Sequence, residues 1–304
     1  MDKTVFVLLV GGDDAQGETD AYQNLQKHAA LSEGRRSGID VEVAFAPGFD
    51  QLRSVRKRLA DATKKPVDAV ITEPASLATM ELLLRDLKGK TGLVLLNAWA
   101  PAVEESAMAW GSGIPFGTVS TDHKRIGEIQ GRQISVLVPR GGHALCVTGP
   151  QRSSAAQQRL EGTRSTLRPD IRLLDAEAAQ WTEAAGLGAF NGWYGIFKAR
   201  SDVIHVVAGQ SDELAVGAMS AFRALKNTGH REMFSRASVL GVDACPGYGR
   251  RLVDEGSLKA SIVTPPNTGM AIQGLLAFWN ERRPLKLRAF TEATAYPPSS
   301  VPPS

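Results

Sequence analysis

Short, continuously apolar, β-branched runs recur along this chain with amphipathic stretches between them, and that alternation limits the fold more than any other feature. Residues 4–10, 41–45, 69–72, 93–97 and 117–120 form a first set of runs; residues 144–148, 171–174, 203–208, 238–242 and 260–263 form a second. A strand without polar alternation has no solvent face, so both of its faces need a cover, and helices flanking a parallel sheet provide one. The intervening segments have the required period. In residues 51–63, Leu52, Val55, Leu59 and Ala62 share one helical face, while Arg53, Arg56, Lys57 and Asp61 share the other. Residues 77–87, 126–137, 155–167, 183–199, 213–225 and 270–279 read the same way. The pattern predicts an α/β, doubly wound chain.

Ten strands would make one very wide sheet, and 304 residues suit two domains of average size. Two breaks divide the series. Residues 98–115 form a connection rich in Ala, Pro and Gly, longer than most in a compact domain, and read as a lid, a binding loop or a domain edge. The second break is Thr264-Pro265-Pro266-Asn267, where the diproline fixes the backbone between a strand and a helix. The C-terminal stretch TEATAYPPSSVPPS shows no period and is expected to be extended or disordered.

Charge and residue usage exclude several functions. Lys plus Arg number 35 against 32 Asp plus Glu, a net charge of +3, too small to mark nucleic acid or an anionic membrane as the partner. Two cysteines, Cys146 and Cys245, exclude a disulfide framework. Five scattered histidines show no metal-ligand spacing, and nothing points to a cofactor. No Ser-His-Asp, Cys-His or paired-carboxylate arrangement stands out, so a reversible binder is expected rather than an enzyme. No apolar run reaches the roughly 20 residues of a membrane helix. The apolar stretch in MDKTVFVLLVGG is too short for the h-region of a signal peptide and runs directly into the first strand, so either the protein is cytoplasmic or the chain begins where a signal peptide was removed.

Several segments carry a family resemblance in order and approximate spacing: VEVAFAPGFDQ, DAVITEPAS, VSTDHKRIGEIQGR, VTGPQRSSAAQQRLEGTR, VVAGQSDELAVGAMSAF, VLGVDACPGYGRRLVDEG and KASIVTPPNTGMAIQGLLAF. Together they resemble the type I periplasmic binding proteins of the ribose and galactose class, whose fold is shared by the effector domains of LacI-type repressors. The resemblance runs from about Thr4 to about Leu287 and lacks the helix-turn-helix a repressor would carry, which disfavours DNA binding. It implies two Rossmann-like lobes, residues 1–119 plus 265–284 and residues 120–264 plus 285–304, with a ligand cleft between them and crossings near 120–122, 264–265 and 284–288. It also implies an extracytoplasmic, periplasmic monomer that captures a small neutral sugar or polyol by hinge closure and hands it to an ABC-transporter permease, or alternatively to a sensor or regulatory partner. An α/β enzyme on a small polar substrate is the remaining alternative.

Ligands of open parallel sheets bind beyond the C-terminal strand ends, so the residues just after each strand are the candidates. Asp13 either lines the cleft or caps a helix. Tyr22 matches the second aromatic of a family pair and either stacks on a sugar ring or packs on a neighbouring helix. Glu73 lines the site or caps the helix after Pro74. Asn97 and Ala98 stand where ribose-type proteins carry a sugar-binding Asp-Arg pair, whose charge-assisted bonds are worth about 1.5–3 kcal/mol each. Their absence argues against plain ribose. Trp99 follows, as a stacking surface or as core. In the second lobe Gln157 falls on the family's ligand Arg and Arg159 on the Arg that steadies the helix, while Arg152 is placed to reach in from the preceding turn. Trp181 takes the slot of the opposing aromatic. Gln210 precedes a helix that Asp212 is expected to cap. Asp243, in an intact LGxD motif, matches the family residue that bridges two sugar hydroxyls, and Thr264 offers a further hydroxyl.

Overall fold

The computed structural model describes residues 2–11, 21–111, 113–199 and 202–301. Its strands are β1 (Thr4–Val10), β2 (Asp40–Ala46), β3 (Ala69–Thr72), β4 (Gly92–Leu96), β5 (Phe116–Thr121), β6 (Gly142–Thr148), β7 (Ile171–Glu177), β8 (Ile204–Gly209), β9 (Ser238–Leu240), β10 (Ser261–Val263), β11 (Ala289–Thr291) and β12 (Thr294–Tyr296). Its α-helices are α1 (Ala21–Ser37), α2 (Gln51–Ala60), α3 (Leu77–Leu87), α4 (Pro101–Met108), α5 (His123–Leu137), α6 (Ser154–Thr166), α7 (Glu183–Phe197), α8 (Asp212–Arg223), α9 (Thr228–Ser235), α10 (Gly249–Asp254) and α11 (Asn267–Glu281). The chain divides into two units, Met1–Thr121 with Pro266–Thr291 and Asp122–Pro265 with Glu292–Ser304.

In the first unit a six-stranded parallel sheet runs in the order β11-β5-β4-β3-β1-β2. Strand alternation sorts its apolar residues into two cores. Val5, Val7 and Leu9 of β1 face one way and pack with Ala30 of α1 and Ile272 and Leu275 of α11. Phe6 and Leu8 face the other way and pack with Val55, Leu83 and Val103 of α2, α3 and α4. Helix α11 is remote in sequence, and the N-cap at its start is Pro266, without a side-chain hydrogen bond. Gln26 of α1 supplies that bond, its fully buried Oε1 accepting from the Thr268 N–H at 3.0 Å.

Two expectations are corrected here. Residues 98–115 are not a long open connection, because α4 begins with Pro101 in its first turn. Its Val103 is buried, and the buried Trp110 stacks on Phe116 with ring centroids 4.4 Å apart. Val103 and Trp110 tie the segment to the core. The C-terminal stretch, expected to be extended or disordered, contains a short extended strand, β12. β11 adds to the edge of β5, with Ala289 opposite Val119, so the third crossing falls after Thr291 and not near 284–288. β12 then pairs antiparallel with β10, and the Tyr296 hydroxyl donates to Asp254 at 2.7 Å. Strands of three residues are too short to display a period.

The second unit holds a parallel sheet in the order β7-β6-β8-β9, with β10 continuing it through bridges from Leu240 to Ala260 and from Asp243 to Val263. Its helices pack in backbone contact. A methyl at Gly127 of α5 would overlap the Arg159 carbonyl, and one at Gly162 of α6 would overlap the Lys124 carbonyl. The α7–α8 pair repeats this at Gly186 and Gly217. Gly162→Ala should therefore destabilise the protein by about 1–3 kcal/mol through overpacking. Gly188→Ala, in a helix position with open space around it, should stabilise by up to about 1 kcal/mol. Urea unfolding of both variants checks the contrast.

Candidate functional site

All four parallel strands of the second unit's sheet point the same way, so the turns that follow them gather at one edge. The turn after β9 carries Asp243, which is only 7% exposed. Its Oδ1 accepts from the Thr264 hydroxyl at 2.9 Å, and Arg159 Nη2 lies 3.7 Å from the same oxygen. Arg159 comes from α6, likewise buried, and donates through Nη1 to the Gln210 carbonyl. Its guanidinium sits over the Trp181 ring at 5.3 Å from the centroid. Trp181 in turn packs against Gly149, where a methyl would strike the ring. An aromatic ring, a cation, a carboxylate and a hydroxyl thus occupy one place, a set able to stack on the apolar face of a ring and to exchange hydrogen bonds with hydroxyls.

The backbone under Asp243 is unusual. Asp243 and Ala244 both have positive φ, 98° and 43°, a conformation costing on the order of 1–3 kcal/mol per residue. Asp212 holds it in place. Asp212 Oδ2 accepts from the Ala244 N–H at 2.8 Å, and its Oδ1 accepts from the Ser261 hydroxyl at 2.7 Å. Gly241 and Gly249 close around the carboxyl, leaving no room for a side chain at either. Burial, with the neighbouring Asp243 charge adding, raises Asp212 well above the ordinary carboxyl range. Burial also raises Asp243, against the opposing pull of Arg159 and Thr264. The cap expected from Asp212 is made instead by Ser211, whose Oγ accepts from the Leu214 N–H at 3.2 Å.

In the first unit the residue after β4 is Asn97, with φ of 50°, a left-handed value that Asn tolerates better than most residues. Its Oδ1 accepts from Asn267 Nδ2 at 2.8 Å, from the Thr121 N–H at 3.2 Å and from the Ser120 hydroxyl at 3.4 Å. Asn267 is fully buried, and its Oδ1 accepts from the Thr291 hydroxyl at 3.0 Å. Asn97 thus ties together the segments through which the chain leaves this unit. Trp99 packs on the core, with the Arg288 guanidinium 4.2 Å above its ring. Glu73 is half-buried; its carbonyl accepts from Gln51 Nε2 at 2.7 Å, and the cap of α3 falls to Ser76, which accepts from the Thr79 N–H at 3.1 Å. Tyr22 is the second residue of α1 and half-buried. Asp13 lies outside the described residues.

A family model described as periplasmic binding protein domain matches residues 16–277. The chain belongs to that family. Among solved structures, a periplasmic solute-binding protein of an ABC transporter from Actinobacillus succinogenes, bound to D-allose, is similar with a TM-score of 0.79 at 17% identity, over 97% of each chain. A solute-binding protein from Bacillus halodurans with bound myo-inositol has a TM-score of 0.77 at 16% identity, covering 98% of this chain and 95% of its own. The fructose-binding periplasmic domain of a hybrid two-component system has a TM-score of 0.76 at 20% identity, covering 96% and 90%. No curated protein sequence matches the chain.

Within this periplasmic binding protein the residues singled out from sequence fall into two groups. Trp181, Asp243 and Thr264 come together, and Arg159, taken from sequence as a helix-steadying residue, joins them. Gln157, on the expected ligand position, is exposed and donates to the Gln151 carbonyl at 2.7 Å, while Arg152 is exposed in the turn before α6. Gln210 is fully buried and spent, its Oε1 accepting from the Gly149 N–H at 2.9 Å and its Nε2 donating to the Ala156 carbonyl at 3.0 Å. Gln157 and Arg159 are two positions apart, so they lie on different sides of the helix, and burial decides which one turns inward. Among the described residues, no group of three or more His, Cys, Asp or Glu is placed to hold a metal ion, and no helix is long and apolar enough to cross a membrane.

The raised Asp212 carboxyl has a signed consequence. A carboxyl whose folded pKa exceeds its unfolded value near 3.8 stabilises the fold fully below that value and loses the contribution as pH rises through the folded value. Asp212→Asn keeps an acceptor for the Ala244 N–H and removes the charge. Its melting temperature relative to the parent should therefore rise from pH 4 to pH 8, as thermal unfolding across that range will show.

Proposed function

We propose that the protein captures a small neutral sugar or polyol outside the cytoplasm and delivers it to an ABC transporter. The observation that carries this is the Asp243 carboxylate, seated at a strand end beside the Arg159 guanidinium and the Thr264 hydroxyl, with the Trp181 ring over that guanidinium. Carboxylate and guanidinium balance one another, so the cluster has no net positive charge to spend on an anionic ligand. Hydroxyl groups suit it because each can donate to Asp243 while accepting from an arginine N–H. The D-allose and myo-inositol bound in two similar structures, and the fructose-binding name of a third, support the same ligand class. Binding would act as in the family at large, with ligand drawing an open–closed equilibrium toward the closed form by its preference for that form.

Reversible binding is favoured over turnover. Burial pushes the Cys146 thiol up to about 12, which removes it as a nucleophile. The similarity to a sensory domain of a two-component system supports a second reading in which the bound form is read by a signalling partner.

A thermal-shift screen with D-allose, myo-inositol, D-fructose, L-arabinose and glycerol is the direct test. A ligand present at about 100 times its Kd adds about 2.7 kcal/mol of stability, a readily visible shift. At least one compound is expected to raise the melting temperature; Asp243→Asn should weaken its binding by about tenfold or more, the scale of one charge-assisted hydrogen bond, and Trp181→Ala should weaken it too through the lost stacking surface. A flat response across carbohydrates and polyols at millimolar concentration would overturn the proposal.

A further inference from the structure

On α5, the helix packed against the one that carries Arg159, lies a second buried polar group that the sugar-binding reading does not use. His123, the first residue of α5, is 5% exposed, and neither Nδ1 nor Nε2 has a hydrogen-bond partner among the described protein groups. Arg159 Nε is buried and unpartnered as well. The two residues belong to helices in backbone contact, since Gly127, one turn beyond His123, packs against the Arg159 carbonyl. We propose that His123 and Arg159 frame an internal water site, and that the water in it positions the Arg159 guanidinium from behind.

Donor and acceptor bookkeeping supports a water over a direct contact. Arg159 spends Nη1 on the Gln210 carbonyl and turns Nη2 toward Asp243, leaving Nε–H as the donor without a partner. His123 is neutral: burial and the nearby Arg159 charge hold its pKa well below the usual range, and the positive end of the α5 dipole acts in the same direction. A neutral imidazole has one nitrogen that donates and one that accepts. No direct bond joins Arg159 Nε–H to either ring nitrogen in the structure. A water accepting from Arg159 Nε–H can serve either ring nitrogen, and the other is free to take a second water. Internal waters typically make about three hydrogen bonds to buried groups that lack other partners, and such groups are what this corner of the fold contains.

The consequence for binding is rigidity. With Nη1, Nη2 and Nε each engaged, the guanidinium has no freedom to swing away from Asp243, so its geometry is set before any ligand arrives. His123 is then a positioning residue. The inference does not depend on the identity of the ligand, or on whether the protein transports or senses it.

A crystal structure of the full chain, free and soaked with D-allose or myo-inositol, tests the site directly. An ordered water within about 3.2 Å of both Arg159 Nε and a His123 ring nitrogen is expected in each. Long-range proton–nitrogen NMR should find His123 neutral in a single tautomer and the Arg159 Nε–H slow to exchange. His123→Phe should speed that exchange by about tenfold or more, and His123→Gln, which can still pair with a water, should restore it. A dry contact between His123 and Arg159, a sugar hydroxyl in the water's position, or an Nε–H exchange rate unchanged in His123→Phe would each overturn the proposal. If His123→Phe fails to fold, the wild-type crystal and NMR results still decide.

Discussion

A parallel strand buried on both faces ends in a turn whose backbone groups have neither a strand partner nor free access to water. Each such group left unpaired costs about 1–3 kcal/mol, so nearby side-chain amides and carboxyls are drawn in to satisfy it. Both units are organised around this requirement. Gln51 pairs with the Glu73 carbonyl and the Ala75 N–H beyond β3, and Asn97 takes the Thr121 N–H at the end of β5. Gln210 ties the Gly149 N–H to the Ala156 carbonyl, and Asp212 holds Ala244. The polar residues that a strand-end search selects are therefore the same ones the fold needs for its own closure.

That double demand shapes the candidate site. Asp243 is held on a left-handed backbone because Asp212, one strand away, accepts from the following N–H, and Asp212 in turn is a buried carboxyl without a cationic partner among the described residues. Burying it carries an electrostatic cost that the two hydrogen bonds and the close glycines offset only in part. The result is a carboxylate whose position is fixed by its neighbours, so little ordering remains to be done when a ligand binds. Arg159 follows the same logic, with its orientation set by a carbonyl, a carboxylate and the contact between α5 and α6.

Much of the architecture was legible in the residues. Strand positions followed from continuous apolar runs, and most helices from their amphipathic period, because burial on one or two faces leaves a direct imprint on residue order. The misses have separate causes. α4 is short and opens in an Ala- and Pro-rich stretch, so its small apolar face looked like loop composition until Trp110 and Phe116 stacked beneath it. β11 and β12, at three residues each, owe their existence to partners far away in the chain. Among candidate site residues, the strand-end positions of Asp243 and Thr264 were readable from the motif around them. The exchange of roles between Gln157 and Arg159 was not, since both are polar and two residues apart, and only packing against α5 distinguishes them.

By itself, then, the order of residues determined a doubly wound α/β chain in two units, the family it belongs to, and the strand ends where polar groups must collect. Those properties are local or periodic, and hydrophobic burial writes them into every few residues. Only the tertiary structure decided which polar groups are consumed by the fold and which gather beside Trp181. A side chain such as Gln210 or Asn97 is spent once a backbone group from a distant segment reaches it, and no spacing along the chain records that meeting.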